Sequence, residues 1–296
     1  MSGKLSEVEG RIGTVHQLES VITAMRGSAA ARSREARSRL DGIRAYAAAI
    51  GGAIGEALSL APETDPQVQK RALPEERAVI LLCAEQGFAG TFNERVLETA
   101  GKHLGINGTQ LLVVGDRGVM VAAERGLVFS WSAPMVAHAD EVPLLASRVA
   151  DALYSRLENG RVTRVTVIHA VPAPSASIEI VERALLPFDY ARFKVTPRAV
   201  APITTLASDQ LLSALAEEYV YAELCEALML SFAAENEARM RAMIAARSNV
   251  SRKLDELVGS FRRLRQEEIT GEIIELCSGS IAAAASIKPK RNRAAA

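Results

Sequence analysis

The stretch VSRKLDELVGSFRRL (residues 250–264) sets apolar side chains at Val250, Leu254, Leu257, Phe261 and Leu264, a strict 4-3-4-3 spacing. That spacing is the seam of a coiled coil, because it keeps one apolar stripe facing a partner helix. Upstream, Leu211, Leu215, Leu224 and Leu228 continue the apolar positions, and no proline falls between Pro202 and Pro289. Ser208-Asp209 offers an N-cap. The pattern predicts one helix from about Gln210 to Ser286, roughly 115 Å at 1.5 Å per residue.

The other end of the chain mirrors it. No proline occurs before Pro62, and apolar residues fall at Leu5, Val8, Ile12, Val15, Leu18, Ile22, Met25 and Ala29, then Ala36, Leu40, Ile43, Ala47, Ile50 and Ile54. The three-residue step from Val15 to Leu18 predicts a stammer, a local overwinding of the coil. A helix over about Leu5–Leu58 would be roughly 80 Å long.

Prolines and short β-rich runs mark the middle. Ala78–Cys83, Leu111–Val114 and Val162–Val171 read as strands, with a weaker one over Ser177–Leu185. Helical patterns separate them near Phe92–Leu104, Gly118–Arg125 and Glu141–Leu157. Strand–helix alternation at this pitch predicts a mostly parallel, doubly wound sheet. The expected plan is α plus α/β: a long antiparallel coiled coil of N- and C-terminal helices with a Rossmann-like α/β domain inserted between them. Its segments are 1–60, 75–200 and 209–286, followed by a basic tail, 287–296.

Charge sets the expected pairing. Residues 26–44 carry Arg26, Arg32, Arg34, Arg37, Arg39 and Arg44 against Glu35 and Asp41, whereas residues 217–237 carry Glu217, Glu218, Glu223, Glu226, Glu235 and Glu237 with no basic residue. Antiparallel helices would lay these segments side by side. Single exposed pairs contribute little, ~0.2–1 kcal/mol, but a repeated pattern selects register. In that register Leu5 lies beside Leu257–Phe261. About 25 residues, or ~40 Å, of the C-terminal helix then project alone, exposing Leu264, Ile269, Ile273, Ile274 and Leu276 unless a partner covers them.

Composition narrows the function classes. The 296 residues are 49% hydrophobic, 24% charged and 4% aromatic, so the core is built from aliphatic residues, as close-packed helices require. Thirty-five basic and 35 acidic residues cancel, which argues against a nucleic-acid binder. The N-terminus lacks the apolar region of a signal peptide. The longest apolar run, Ala78–Ala84, is far short of the ~20 residues of a membrane span. Cys83, Cys225 and Cys277 are widely spaced and read as reduced thiols of a cytoplasmic protein. The histidines His16, His103, His138 and His169 lack metal-ligand spacing. Gly87-Phe88-Ala89-Gly90 follows a strand, but GxxG alone is a weak phosphate-loop signal. No GxGxxG, GxxxxGK[ST] or GxSxG accompanies it. No catalytic residue, metal or cofactor is expected, and a coiled-coil scaffold stands as the other reading.

The chain resembles the gamma subunit of F-type ATP synthase, the central rotor shaft. Ile22-Thr23-Ala24-Met25-Arg26-Gly27-Ser28-Ala29-Ala30 is similar to I-T-x-A-M-[KE]-x-V-A, and Arg44-Ala45-Tyr46-Ala47 to R-P-Y-A. Gln86 to Asn93 is a degraded R-G-L-C-G-x-[FYL]-N. Arg239-Met240-Arg241-Ala242-Met243 and Asn249 match R-M-x-A-M-x-x-A-x-x-N. Arg265-Gln266 with Ile269-Thr270-Gly271-Glu272-Ile273-Ile274-Glu275 matches R-Q-x-x-I-T-x-E-x-x-[DE]. Arg26 in place of Lys or Glu, Ser280 in place of Ala and the added tail Lys288–Arg293 imply a divergent branch, such as the alternative sodium-type enzymes of some bacteria.

The resemblance implies a subunit that performs no chemistry. It would couple ion flow through a membrane ring to ATP synthesis or hydrolysis on the surrounding alpha and beta subunits, by rotation, in a 3:3:1 complex. By motif, Met25, Arg26, Arg239, Arg265, Gln266, Thr270 and Glu272 would meet alpha and beta. Arg26 and Arg239 also admit a plainer reading as solvated coil charges. Arg44, Tyr46 and Leu206 would meet the c-subunit ring and epsilon, or serve only turn and cap chemistry. The implied location is peripheral, at the cytoplasmic face of the plasma (inner) membrane.

Overall fold

The computed structural model describes residues 2–60, 76–106, 108–158, 162–173, 178–195 and 203–286. The tail Lys288–Arg293 lies outside the described residues. Two long helices, α1 (Ser2–Leu60) and α5 (Ser208–Ser286), bracket the sheet strands β1 (Glu76–Leu82), β2 (Thr109–Val114), β3 (Trp131–Ala133), β4 (Val162–Val171) and β5 (Glu179–Leu186). Three helices alternate with them: α2 (Phe92–Leu104), α3 (Asp116–Glu124) and α4 (Val142–Glu158). The order across the sheet is β3-β2-β1-β4-β5. Pairings are parallel except β4–β5, which is antiparallel. Too few residues separate Val171 from Glu179 for a crossover, so β5 must return alongside β4.

β1 is central, and its run Ala78–Leu82 is buried throughout, as a strand covered on both faces must be. Ala78, Ile80, Leu82, Leu112, Val165 and Val167 pack with α4 and with Leu40 of α1 and Leu224 and Leu228 of α5. On the opposite face, Val79, Leu81, Leu111, Val113 and Ile168 pack with Phe92, Val96 and Leu97 of α2 and Val121 of α3. The sheet is therefore doubly wound, with segments of the long helices supplying part of one layer.

Contacts divide the chain into two compact units, one of Arg26–Ala242 and one of the residues before and after it. Within the larger unit the Arg-rich and Glu-rich segments pair antiparallel: Arg37 with Glu237, and Arg44 with Glu226 at 2.9 Å. Residues 227–239 of α5 are all buried, a helix enclosed on every side. Within the smaller unit, Val250, Leu254, Leu257, Phe261 and Leu264 are half-buried, and Arg247 of α5 meets Glu19 of α1 at 3.6 Å.

Some expectations need correction. α1 contains no apolar slip at Leu18, which is 48% exposed. The seam runs Leu5, Val8, Ile12, Val15, Glu19, Ile22, unbroken in its 3-4 spacing, because Glu19 takes the seam position and pairs with Arg247. Ser33 does the same further on, giving its hydroxyl to Glu237 at 3.3 Å. A polar seam residue with a cross-helix partner looked like a phase change. Ser208 and Asp209 do not cap α5 from outside; Leu211 N–H already bonds to the Ala207 carbonyl, so both lie in the first turn. β3 was missed because three residues are too few to show alternation.

Candidate functional site

Ser231, Glu235 and Arg239 sit four residues apart on α5, so they form one stripe of the helix. That stripe faces the C-terminal end of β1. Ser231 Oγ donates to the Leu82 carbonyl at 3.0 Å. Arg239 Nε donates to the Gly87 carbonyl at 3.3 Å and Nη2 to the Gln86 carbonyl at 3.2 Å, while Nη1 reaches Asn236 Oδ1 at 3.2 Å. Arg239 also pairs with Glu235, whose carboxylate accepts the Gln86 N–H at 3.4 Å. Burial pushes the Glu235 carboxyl upward, opposed by Arg239 and by the N–H groups of Gln86 and Glu85.

Arg239 is therefore not a solvated coil charge: it is 5% exposed and its guanidinium is bonded within the chain. The i,i+4 Glu–Arg spacing was visible in sequence, but not the loop it grips. Residue Glu85 gave no signal at all. Its carboxylate accepts the N–H of Asp116 at 3.0 Å and of Met135 at 2.6 Å, joining the loops after β1, β2 and β3. Beyond Glu85 the loop turns outward. Phe88 adopts φ +62, a conformation uncommon for non-glycine residues, and the residue is 68% exposed.

The GxxG loop lines a hollow of about 400 Å³ with Phe92, Asn93, Glu94 and Arg117. Asn93 Oδ1 is committed to the fold, accepting the buried Ala84 N–H at 2.8 Å. Among the described residues no cluster could hold a metal ion. The thiols of Cys83, Cys225 and Cys277 are free, and burial pushes Cys83 up to about 12.

The remaining expected residues fall into separate groups. Met25 and Arg26 are adjacent and half-buried on α1. Arg44 is held by Glu226, and the Tyr46 hydroxyl by Glu218, a bond that, with burial, pushes Tyr46 up to about 12. Leu206, just before α5, is 46% exposed. Arg265, Gln266, Thr270 and Glu272 are all exposed on α5, where Thr270 Oγ1 donates to the Gln266 carbonyl at 2.8 Å. Around them Ile269, Ile273, Ile274, Leu276 and Ile281 are exposed by 46–74%. No hydrogen bond or ion pair connects these groups to one another among the described residues.

A family model described as ATP synthase matches residues 4–283. The ATP synthase gamma chain of Frankia casuarinae is 30% identical over 301 residues, covering 96% of this chain and 99% of that one. The chain belongs to the ATP synthase gamma family. A second gamma chain, from Bdellovibrio bacteriovorus, is 26% identical and covers 93% of this chain and 97% of its own. Among solved structures, a chain of the Euglena gracilis mitochondrial ATP synthase (OSCP/F1/c-ring, rotational state 3) superposes with a TM-score of 0.67 at 13% identity, covering 100% of both chains. A chain of the Tetrahymena thermophila mitochondrial ATP synthase central stalk and c-ring gives 0.55 at 19% identity, over 76% of this chain and 99% of that one. At such identities the two structures speak for the gamma fold alone. As a gamma-family member the chain is a central-stalk subunit of ATP synthase, structural and coupling in role and not itself catalytic. No helix among the described residues is long and apolar enough to cross a membrane.

Proposed function

We propose that this chain is the rotor shaft of a complex with three alpha and three beta subunits, footed on epsilon and a c-subunit ring, and that it couples ion movement to ATP turnover by rotation. The observation that carries this reading is the last part of α5. Ile269, Ile273, Ile274, Leu276 and Ile281 stand exposed on a single helix, and water does not favour that much bare aliphatic surface unless a partner covers it. Arg265, Gln266, Thr270 and Glu272 share this segment and supply polar contacts to an alpha/beta sleeve. Met25 and Arg26, half-buried on α1, are proposed as the upstream contact with beta; an arginine there can grip a carboxylate with two parallel bonds. Leu206 is proposed at the foot. Arg44 and Tyr46 are proposed to act there together with the glutamates that hold them. The complex would sit peripherally on the cytoplasmic face of the inner membrane.

Co-expression with alpha and beta subunits from the same genome, followed by purification and an ATPase assay, tests the proposal. The expected product is a 3:3:1 complex that hydrolyses ATP faster than alpha and beta alone. A chain that purifies as a soluble homo-oligomer and ignores alpha and beta would return the scaffold reading.

A further inference from the structure

The loop from Glu85 to Gly90 has little burial to hold it. Gln86, Gly87, Phe88 and Gly90 are exposed, and Ala89 is its buried member. Its position must come from directional bonds, and α5 supplies them. Arg239 spends Nε and Nη2 on the carbonyls of Gly87 and Gln86, while Glu235 takes the Gln86 N–H. Eight residues back along the same stripe, about 12 Å, Ser231 grips the Leu82 carbonyl at the last residue of β1. The helix thus holds the end of the central strand at one point and the loop beyond it at another.

A buried ion pair contributes little net stability over a well-packed apolar pair, because desolvation offsets the attraction. Its use here is better sought in geometry. The grip does not end at the loop. Glu85 adjoins Gln86, its carboxylate holds the N–H groups of Asp116 and Met135, and its own carbonyl accepts the Arg117 N–H at 3.3 Å. The loops after β2 and β3 are thereby tied to the loop that α5 grips.

We propose that Ser231, Glu235 and Arg239 are positioning residues that key the α/β body to α5, and that Glu85 passes this hold to the loops after β2 and β3, so that the body turns with the helix under torque. This rests on the rotor reading above. The packed apolar faces of α5 hold the sheet, but the exposed loop beyond β1 has no such packing, so its position under load rests on these directional bonds. Coupling therefore depends on Glu235 and Arg239 through the loop they hold.

The test uses the assembled, membrane-bound complex. Replacing Glu235→Leu and Arg239→Met together removes the charges as a pair, a change that a buried site commonly tolerates without loss of fold. Hydrogen exchange of the backbone and the number of ions pumped per ATP hydrolysed are then compared with the natural chain. The expected results are about tenfold faster exchange at Gln86 and at Met135, which neither residue touches, and a pumping ratio lowered about two-fold or more with ATP hydrolysis retained. Unchanged exchange at Met135, or an unchanged pumping ratio, overturns the proposal. If the double variant does not assemble, Glu85→Gln weakens the same path while keeping both charges on α5. It is expected to speed exchange at Asp116 and Met135 and lower the ratio, and wild-type values for either would overturn the proposal as well. Failure of the natural chain to assemble with alpha and beta would instead defeat the rotor reading, leaving exchange in the chain itself to judge the key.

Discussion

Arg44 of α1 and Arg183 of β5 reach opposite oxygens of one carboxylate, Glu226 of α5, at 2.9 and 3.0 Å. Three elements far apart in sequence are joined at that group. Burial works against the charge on Glu226, but the two guanidinium groups prevail and hold its carboxyl below the usual range. The folded value is depressed, so the stabilisation is fully present above the unfolded value near ~4.3 and is lost as pH falls through the folded value. Glu226→Gln is expected to cost about 1–3 kcal/mol at pH 7 and to narrow the difference from the natural chain below about pH 4. Urea unfolding at both pH values checks it; an equal loss at both would contradict the assignment.

His169 on β4 is fully buried, and neither ring nitrogen has a hydrogen-bond partner among the described residues. Burial, with help from Arg183 and against Glu226, lowers it to about 4. The fold therefore holds the ring neutral. Stability present above ~6.5, the unfolded value, should drain away as pH falls toward about 4, by ~3 kcal/mol at most. His169→Leu is expected to flatten that slope, read from thermal midpoints between pH 7 and pH 4.5.

Two glycines make a contrasting pair. A Cβ on Gly118 would lie 2.0 Å from Cys83 Cβ, where α3 presses on the end of β1, whereas a Cβ on Gly101 of α2 meets nothing within 4 Å. Gly118→Ala is expected to cost about 3 kcal/mol or more. Gly101→Ala should stabilise by roughly 0.5–1 kcal/mol, since it lowers the entropy cost of a helical glycine. Denaturant midpoints distinguish the two; a neutral Gly118→Ala would mean that α3 can shift away from β1.

Arg265→Ala combined with Gln266→Ala removes two exposed polar groups from α5 without touching either core. The expected outcome is weaker assembly with alpha and beta and less ATP-driven pumping, with the α/β core melting unchanged. Pumping at the natural rate would remove these residues from the contact.

What the sequence by itself determined was local. Apolar spacing specified α1 and α5 and the packing stripes they present, because a 3.6-residue period shows within a dozen residues. β4 and α2 were legible to the residue, since their patterns are long and bounded by turn signals. Charge segregation also foretold that residues 26–44 and 217–237 would lie together, although among the described residues only Arg37 and Arg44 of the six arginines pair across, with Glu237 and Glu226, while Glu223 and Glu235 are taken by Arg192 and Arg239. Tertiary structure alone decided what each charged side chain is for. Arg239 and Arg265 look alike in sequence, yet one is buried against the Gln86–Gly87 loop and the other stands in water. Glu19 and Ser33 interrupt the apolar seam in sequence and continue it in space, because their partners Arg247 and Glu237 lie on the opposite helix. Burial and partnership are set by residues on other elements, 149 positions away in the case of Ser231 and Leu82 and 43 in that of Glu226 and Arg183. No local pattern encodes which distant carbonyl or carboxylate will come within 3 Å.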